Sequence, residues 1–235
     1  MRIPCVASSS GQPLSISLFA VFFLLVSVPN VLSSTTAGSP DYSYNETTGR
    51  GPSRWGELDR LWSTCATGRK QSPIDVAYRD VQVVNPPRRL RTRYHRASAN
   101  ATKGAHGLKF EFHENGGYFF VDNLRFNLVQ FHWHWGSEHL LNGSRGDLEF
   151  HMVHKSATNL AVIAIVYKIG HSDPFLSKLL PQVANMKEES RDVGTIDVRH
   201  IKFSRKRYFR YMGSLTSPPC SEGVQWTVIK RVSKS

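Results

Sequence analysis

The chain alternates between short apolar stretches and short polar ones along most of its length. The apolar stretches are rich in β-branched and aromatic residues and are separated by Gly, Asn, Asp and Pro, which favour turns. This pattern predicts β-strands, because branched and aromatic side chains pack well on a pleated surface. The predicted strands are 108–112, 118–121, 124–134, 148–154, 161–169, 196–203 and 224–230.

One segment, residues 173–188, has helical spacing instead. It opens with Asp-Pro, a combination that favours a helix start, and its apolar side chains recur at nearly helical intervals. These side chains are Phe175, Leu176, Leu179, Leu180 and Val183. The pattern as a whole predicts a mostly β (α+β) domain with few helices.

The N-terminus has the pattern of a secretory signal. Arg2 precedes an uninterrupted apolar run over 18–28, followed by Pro29 and small residues at 32–35. The run is shorter than the roughly 20 residues that a spanning helix needs, so no stable membrane span is predicted. We expect residues 1–34 to be the signal peptide and residues 35–235 to be one domain that enters the secretory pathway, with an extracellular destination.

The glycosylation acceptors and the cysteines agree with secretion. Asn45, Asn100 and Asn142 each begin an Asn-X-Ser/Thr acceptor sequence. Of the three cysteines, one lies in the expected signal peptide, leaving Cys65 and Cys220 as a pair in an oxidising compartment. We predict that they form a disulfide; the alternative is two buried free thiols.

The 235-residue chain carries a formal net charge of +12. Such a charge raises nucleic acid as a partner, but no recognition-helix pattern accompanies the basic residues, so nucleic-acid binding is not predicted. The basic residues cluster at Arg88, Arg89, Arg91, Arg93 and Arg96, and at Lys206, Arg207 and Arg210. The first cluster follows Asn-Pro-Pro and is interpreted as a solvated loop. An affinity for anionic cell-wall or membrane material is a further hypothesis.

Three histidines on two predicted strands indicate a metal site. His132 and His134 are two residues apart in a strand, so they project from the same face about 6 to 7 Å apart. A turn-rich return at 136–146 would bring the next strand, which carries His151, beside the first. Three neutral imidazoles suit Zn²⁺ and leave a fourth tetrahedral position for water, as in catalytic zinc sites.

These residues belong to a larger set of ordered motifs. The motifs are YSY at 42–44, WGEL at 55–58, QSPID at 71–75, QFHWHWG at 130–136, SEH at 137–139, EFHMVH at 149–154 and GSLTSPPC at 213–220. Over about residues 42–231 the chain resembles the α-class carbonic anhydrases, particularly secreted plant-type members. The resemblance implies a large, twisted, mainly antiparallel central sheet with a few peripheral helices. It also implies reversible hydration of carbon dioxide to bicarbonate and a proton by zinc-bound hydroxide.

The resemblance assigns roles around the metal. Gln130 and Glu149, each two residues before a histidine, would accept hydrogen bonds from the imidazoles of His132 and His151. Without a metal they are ordinary strand residues. Thr216 would accept the proton of the hydroxide and donate to Glu138, and its backbone N–H, with Ser217 beside it, would contact bicarbonate.

The resemblance also implies a substrate pocket and a proton path. The apolar pocket for carbon dioxide would comprise Val153, Val162, Leu215 and Trp226. His106 aligns with the family's proton shuttle, and Tyr44 with a tyrosine that orders the water chain beside it. Cys65 and Cys220 match the disulfide of secreted members. His139 and His154 resemble buried structural residues, and a plastid destination through the secretory route is compatible with some plant-type members.

The printed sequence stops at Ser235, whereas the family normally continues for a few dozen residues. We expect that the missing family segment leaves His134 without its usual backbone carbonyl partner and exposes a sheet edge. Besides an active zinc enzyme, two alternatives are therefore kept. One is a weak or inactive carbonic anhydrase-like binding or storage protein, and the other is a truncated product that folds poorly. The sequence makes no prediction of oligomeric state.

Overall fold

β-Strands account for most of the regular structure in this computed structural model, which describes residues 41–84, 89–104 and 107–229 and the backbone of 233–234. The strands are β1 (Asp75–Val76), β2 (Thr92–Tyr94), β3 (Arg96–Gly104), β4 (Gly107–Phe112), β5 (Gly117–Val121), β6 (Leu124–Trp135), β7 (Leu140–Leu141), β8 (Ser144–Arg145), β9 (Leu148–Lys155), β10 (Leu160–Lys168), β11 (Ser190–Asp197), β12 (Tyr208–Ser214), β13 (Glu222–Ile229) and β14 (Ser233–Lys234). The α-helices are α1 (Trp55–Leu58), α2 (Thr64–Thr67) and α3 (Pro174–Val183). The predicted mostly β fold is confirmed.

Within the described ranges, eleven strands form one sheet. Its main path runs β11-β3-β4-β6-β9-β10-β13-β12, with β5 also paired to β6, β2 to β5 and β14 to β10. Most pairs are antiparallel, whereas β10 pairs in parallel with β13 and β14. A small second sheet contains β1, β7 and β8. The centre of the large sheet, formed by β6, β9 and β10, supplies a rigid base for side chains on its faces.

The hydrophobic core lies on both faces of this sheet. Along β10, Ile163 and Ile165 pack into a large aromatic cluster, whereas Val162 and Ala164 pack into a second cluster around Trp226. Alternate residues of a strand point to opposite faces, so the two clusters cover opposite sides of β10. This double burial explains why β10 is an almost uninterrupted apolar run in the sequence.

A bulge in β6 sets which side chains face the site. The β6–β9 register shifts between Leu128 and Gln130. Phe126 and Leu128 face the large aromatic cluster before the shift, and Phe131 faces it afterwards. Because of this extra residue, the side chains that face the core have even residue numbers before the bulge and odd residue numbers after it. As a result, Gln130 and the two histidines after it share the opposite face.

The predicted helix at 173–188 is confirmed in its start but ends earlier. Asp173 caps the N-terminus of α3 by accepting hydrogen bonds from the backbone N–H groups of Phe175, at 2.8 Å, and Leu176, at 3.1 Å. The helix ends at Val183, and the chain enters β11 at Ser190. None of the helices in the described ranges has the length and apolarity needed to cross a membrane. The expected signal peptide, 1–34, lies outside the described residues.

The predicted strand at 196–203 is wrong over most of its length. β11 ends at Asp197, and Val198–His200 form a 3₁₀ helix. The Asp197 side chain accepts a hydrogen bond from the Arg199 backbone N–H at 3.2 Å and so starts that turn. Val198 and Ile201 are buried although they lie in and after this turn. Their apolar side chains gave the sequence an alternating pattern that resembles a strand.

Four strands of the large sheet were not predicted: β2, β3, β12 and β14. β3 is composed mainly of small and polar residues, and it belongs to the sheet because Ala99 and Ala101, both fully buried, face the core. β2 lies in the arginine-rich stretch that was interpreted as a loop, and its Arg93 is exposed while Tyr94 is buried. Long-range pairing, rather than local composition, determines these strands.

Candidate metal centre

Three histidine rings meet on one face of β6 and β9. Antiparallel pairing places His132 directly opposite His151, and His134 follows two residues later on the same face. The ring centroids are 4.9 Å apart for His132 and His134, 5.1 Å for His132 and His151, and 4.7 Å for His134 and His151. One nitrogen from each ring lies within 4.8 Å of the others. The predicted triangle of imidazoles is therefore present.

Hydrogen bonds determine which nitrogens face the centre of this triangle. His132 Nδ1–H donates to Gln130 Oε1 at 2.8 Å, and His151 Nε2–H donates to Glu149 Oε1 at 2.7 Å. These bonds leave His132 Nε2 and His151 Nδ1 as bare lone pairs. His134 Nδ1 lies 3.4 Å from Glu138 Oε1, the carboxylate on its outer side. The expected contacts of Gln130 and Glu149 are thus observed.

The centre of the triangle fits a cation. His132 Nε2 and His134 Nε2 are only 3.0 Å apart. Without a metal, His134 Nε2–H can donate to the bare His132 Nε2 across this distance. When the proton of His134 is on Nδ1, both lone pairs face the centre and are available to a cation. Uncharged imidazole nitrogens are ligands that Zn²⁺ prefers. The donor set and its spacing therefore suit one zinc ion.

Burial keeps two of the rings uncharged. Burial, together with the neighbouring histidines, holds the pKa of His132 well below its ordinary value and lowers the pKa of His134 to about 3. Burial acts in the same direction on His151, but the charge and hydrogen bond of Glu149 outweigh it and raise that pKa. A ring that does not bind protons at neutral pH leaves its lone pair available to a metal.

Glu149 is the central acceptor of the hydrogen-bond network around the histidines. It is completely buried, and its Oε1 also accepts from His139 Nδ1–H at 2.6 Å, while its Oε2 accepts from the His139 backbone N–H at 2.8 Å. The network continues outward, since the Tyr211 hydroxyl donates to His139 Nε2 at 2.6 Å and contacts Ser72 Oγ at 2.8 Å. The chain of bonds holds the ring of His151 in one orientation.

Sequence reasoning identified His139 only as a structural residue and missed Tyr211 and Ser72. Ser72 lies 139 residues before Tyr211, and their hydroxyls meet because the chain before β1 packs against β12. Its backbone N–H also donates to Ser214 Oγ at 2.8 Å. The QSPID motif was the available signal, but no local pattern pairs it with β12.

His139, Glu149 and His151 form a second group with metal-ligand spacing. In this group both His–Glu contacts are already hydrogen bonds, at 2.6 and 2.7 Å, and the side chains of His139 and Glu149 are fully buried. A metal there would have to displace both protons from a closed site. The first group, in which three ring nitrogens converge with no carboxylate bonded between them, is the better candidate.

Replacing Glu149 tests the importance of this network. We expect Glu149→Gln to weaken zinc binding by about 10- to 100-fold, because an amide has only one oxygen and its NH₂ opposes the N–H groups of His139. Competition for zinc against a chromogenic chelator measures the effect. The exposed Glu114→Gln is the matched control and should leave the affinity unchanged. Equal affinities for wild type and Glu149→Gln would show that this carboxylate does not support the site.

Glu138 and Thr216 form the outer side of the centre. Burial raises the pKa of Glu138 to about 7, and a hydrogen bond from the Thr216 side chain opposes that rise. Glu138 Oε2 lies 3.9 Å from His151 Nε2, in the interior beside the rings. The predicted pairing of Glu138 with Thr216 is therefore present in the structure. Glu138 thus lies beside two of the histidines, with Thr216 bonded to it.

The Thr216 loop is anchored to the N-terminal part of the domain. Cys65 and Cys220 form the predicted disulfide, with their Cα atoms 5.0 Å apart. Gln71 Nε2–H donates to the Cys220 backbone oxygen at 3.2 Å. Ser217, next to Thr216, hydrogen-bonds to Tyr42. These contacts fix both ends of the loop.

Removing the disulfide should damage stability and the site together. The bond joins residues 155 positions apart, so Cys65→Ser/Cys220→Ser frees a long loop in the unfolded chain. We expect the free energy of unfolding to fall by roughly 2–5 kcal/mol. Urea titration of the wild type and the double variant measures this change, and a parallel titration of reduced wild type should agree with the variant. Unchanged unfolding curves would contradict it.

The other predicted site residues divide into three groups. Val153, Val162, Leu215 and Trp226 belong to one apolar cluster, and the Trp226 ring lies 5.0 Å from the His151 ring. Tyr44 packs edge-on to His134, with ring centroids 6.5 Å apart. His106 lies outside the described residues. Asn45 and Asn142 are exposed and Asn100 is half-buried, positions that leave their roles as glycosylation acceptors a prediction.

Comparison with known proteins places these features in a family. The family model described as eukaryotic-type carbonic anhydrase matches residues 50–234. Alpha carbonic anhydrase 6 of Arabidopsis thaliana is 40% identical over 222 residues, covering 93% of this chain and 85% of the relative. Dioscorin DB3L of Dioscorea polystachya is also 40% identical, over 225 residues, covering 93% of this chain and 82% of the relative.

Solved structures give the same result for the fold. A crystal structure of dioscorin complexed with ascorbate superposes with a TM-score of 0.79 at 35% identity, covering 83% of each chain. An α-carbonic anhydrase from Thermovibrio ammonificans, in complex with the inhibitor sulfanilamide, gives a TM-score of 0.76 at 34% identity. That match covers 84% of this chain and 86% of the other.

Proposed function

The chain belongs to the eukaryotic-type carbonic anhydrase family, and we propose that it catalyses the reversible hydration of carbon dioxide to bicarbonate and a proton. The convergence of one ring nitrogen each from His132, His134 and His151 carries this proposal. These three residues would hold one Zn²⁺ ion. When bound, zinc supplies a nucleophile at neutral pH by lowering the pKa of a water from 15.7 to about 7, values known from carbonic anhydrase itself.

Uncharged ligands are important for that acidification. Three imidazoles leave the full charge of the ion in place, whereas a carboxylate ligand would cancel part of it. Glu149 stays outside the ligand set because its oxygens are occupied by His139 and His151. Its negative charge therefore orients His151 through a hydrogen bond rather than by direct ligation.

Thr216 and Glu138 would orient the attacking oxygen. A hydroxyl has one proton to donate, and the Thr216 side chain hydrogen-bonds to Glu138. Its oxygen can then only accept from the nucleophile, which leaves a nucleophile lone pair directed at the substrate. A cation between the histidines would favour the ionised form of Glu138, the form that accepts from Thr216.

Carbon dioxide would bind on the apolar side of the centre. Val162 and Trp226 are each 2% exposed, and Val153 and Leu215 pack against the same cluster. An apolar wall suits an uncharged linear substrate and binds the product anion less well. The backbone N–H of Thr216, with Ser217 beside it, would contact an oxygen of bicarbonate.

The proton released in each cycle must reach solvent. We propose His106 as the carrier, because it aligns with the family's proton shuttle and histidine is the side chain best suited to proton transfer at neutral pH. Tyr44 would support a water chain, a role favoured by its ring contact with His134 and by its 42% exposure.

Entry into the secretory pathway fits the disulfide, which persists in oxidising compartments. The signal peptide at 1–34, an extracellular or plastid destination and the glycans at Asn45, Asn100 and Asn142 remain proposals.

A second function is binding or storage without turnover. It is favoured by the similarity to dioscorins, including one solved in complex with ascorbate. The two functions share a fold, so the fold does not separate them.

A stopped-flow assay of carbon dioxide hydration on the full chain tests the enzyme. We expect turnover that a zinc chelator abolishes and added zinc restores. Turnover no faster than the buffer blank, in protein that carries one zinc ion per chain, would overturn the proposal and leave the binding function.

A further inference from the structure

Away from the metal centre, a basic face covers the outer side of β2, β5, β6 and β9. Strand register places Arg93 opposite Tyr118, Tyr118 opposite Asn127, and Asn127 opposite Lys155. Phe120 lies opposite Arg125, and its backbone N–H donates to the Arg91 oxygen at 3.0 Å. Directly opposed residues of antiparallel strands share a face. The basic face therefore comprises Arg91, Arg93, Arg125 and Lys155 around the rings of Tyr118 and Phe120.

The two rings hold two of the guanidinium groups in place. The Arg91 Cζ lies 4.6 Å from the Phe120 ring centroid, and the Arg125 Cζ lies 4.0 Å from the Tyr118 centroid. Side-chain amides complete the positioning, since Arg91 donates to Asn123 and Arg125 Nε–H donates to Asn127, both at 2.9 Å. Stacked in this way, the guanidinium groups lose little further freedom when a ligand binds.

The four positive charges have no ion-pair partner among the described residues. All four side chains are exposed, and no carboxylate of the described residues forms an ion pair with any of them. Asp122, at the adjacent turn, lies 3.9 Å from Arg210 Nη1 instead. Elsewhere the surface arginines Arg54, Arg96 and Arg199 do have acidic partners. Among the described residues, the basic face is thus an array of cations without ion-paired carboxylates, and Asp122 is an acidic neighbour at its Arg91 end.

We propose that the basic face binds a linear polyuronate, a sugar chain with repeated carboxylates. Guanidinium groups bind carboxylates through paired hydrogen bonds, and the sheet fixes their separation. Arg93 and Lys155 are three strands apart, about 14 Å by strand spacing. The Arg125 guanidinium lies between them, because it stacks on the Tyr118 ring and donates to Asn127. Arg93, Arg125 and Lys155 therefore form a row of cations across the strands. A polyuronate carries carboxylates at regular intervals along a stiff chain, which matches this row.

Other polyanions fit less well. Nucleic acid is held on single-stranded sites by base stacking, but the Tyr118 and Phe120 rings are already covered by guanidinium groups. A membrane surface is bound by protruding apolar side chains, whereas both rings are half-buried. An acidic peptide carries carboxylates on a flexible chain and loses more entropy on binding than a stiff sugar chain.

Binding of a fluorescent oligogalacturonate of defined length, followed by anisotropy at low salt, tests the proposal on the full chain. We expect Arg91→Gln/Arg93→Gln/Arg125→Gln to weaken binding by about tenfold or more. The control variant Arg60→Gln/Arg69→Gln/Arg79→Gln loses the same charge from exposed residues on other elements and should stay within about twofold of wild type. Thermal melts confirm that both variants are folded.

Two further ligands test whether the face recognises the carboxylates and the sugar chain of the polyuronate. The methyl-esterified oligomer, which lacks the charges, should not bind, and polyglutamate of equal charge should bind more weakly than oligogalacturonate. If both triple variants lost the same affinity for oligogalacturonate, binding would depend only on the net charge of the protein, and the proposal would be overturned. Polyglutamate or single-stranded DNA binding as tightly as oligogalacturonate would also overturn it.

Discussion

Replacing His134 by Ala is expected to abolish zinc binding and to lower kcat/KM for carbon dioxide hydration by about 1000-fold or more. The reason is that two imidazoles on adjacent strands do not complete the three-nitrogen set of a catalytic zinc site. His134 is also the ring whose Nε2 lies 3.0 Å from His132 Nε2, so its removal opens the centre of the triangle. Zinc content by mass spectrometry and stopped-flow hydration measure the two effects.

His95→Ala is the matched control for this change. His95 is an exposed histidine away from the centre, and its replacement should leave zinc content and turnover as in the wild type. His134→Ala with full zinc content and full activity would show that the ion, if it is needed, binds elsewhere.

Replacing Thr216 by Ala is expected to lower kcat by about 100-fold while zinc remains bound. The substitution removes the hydroxyl that hydrogen-bonds to Glu138 and would accept from the nucleophile. Zinc content should stay at one ion per chain, because the side chain of Thr216 is not in the ligand set.

Thr216→Ser distinguishes the role of the hydroxyl from that of the methyl group, since it keeps the hydroxyl and removes only the methyl group. We expect it to recover most of the activity, whereas Ser217→Ala, the neighbouring control, should change kcat only slightly. If Thr216→Ser is as slow as Thr216→Ala, the hydroxyl does not orient the nucleophile and the methyl packing accounts for the loss.

The histidine triangle could be predicted from sequence because it depends on local periodicity. Strand alternation places His132 and His134 on one face, and a short return brings His151 opposite His132. The contacts of Gln130 and Glu149 follow from the same two-residue spacing. All of these features depend only on the pairing of β6 with β9.

The parts that were missed depend on distant pairing. Tyr211 reaches His139, 72 residues earlier in the chain, because β12 lies two strands from β10 in the sheet. β3 is a strand because it pairs with β4 on one side and β11 on the other, although its own residues do not favour strands. The basic face likewise combines four strands, so the arginine-rich stretch resembled a loop when considered alone.

The metal position itself is the most direct test of this account. Crystals of the purified full chain, measured at the zinc absorption edge, yield an anomalous difference map that locates the ion. We predict one peak at about 2.0–2.1 Å from His132 Nε2, His134 Nε2 and His151 Nδ1. A peak among His139, Glu149 and His151 Nε2, or zinc-loaded protein with no peak between the three histidines, would contradict the proposed centre.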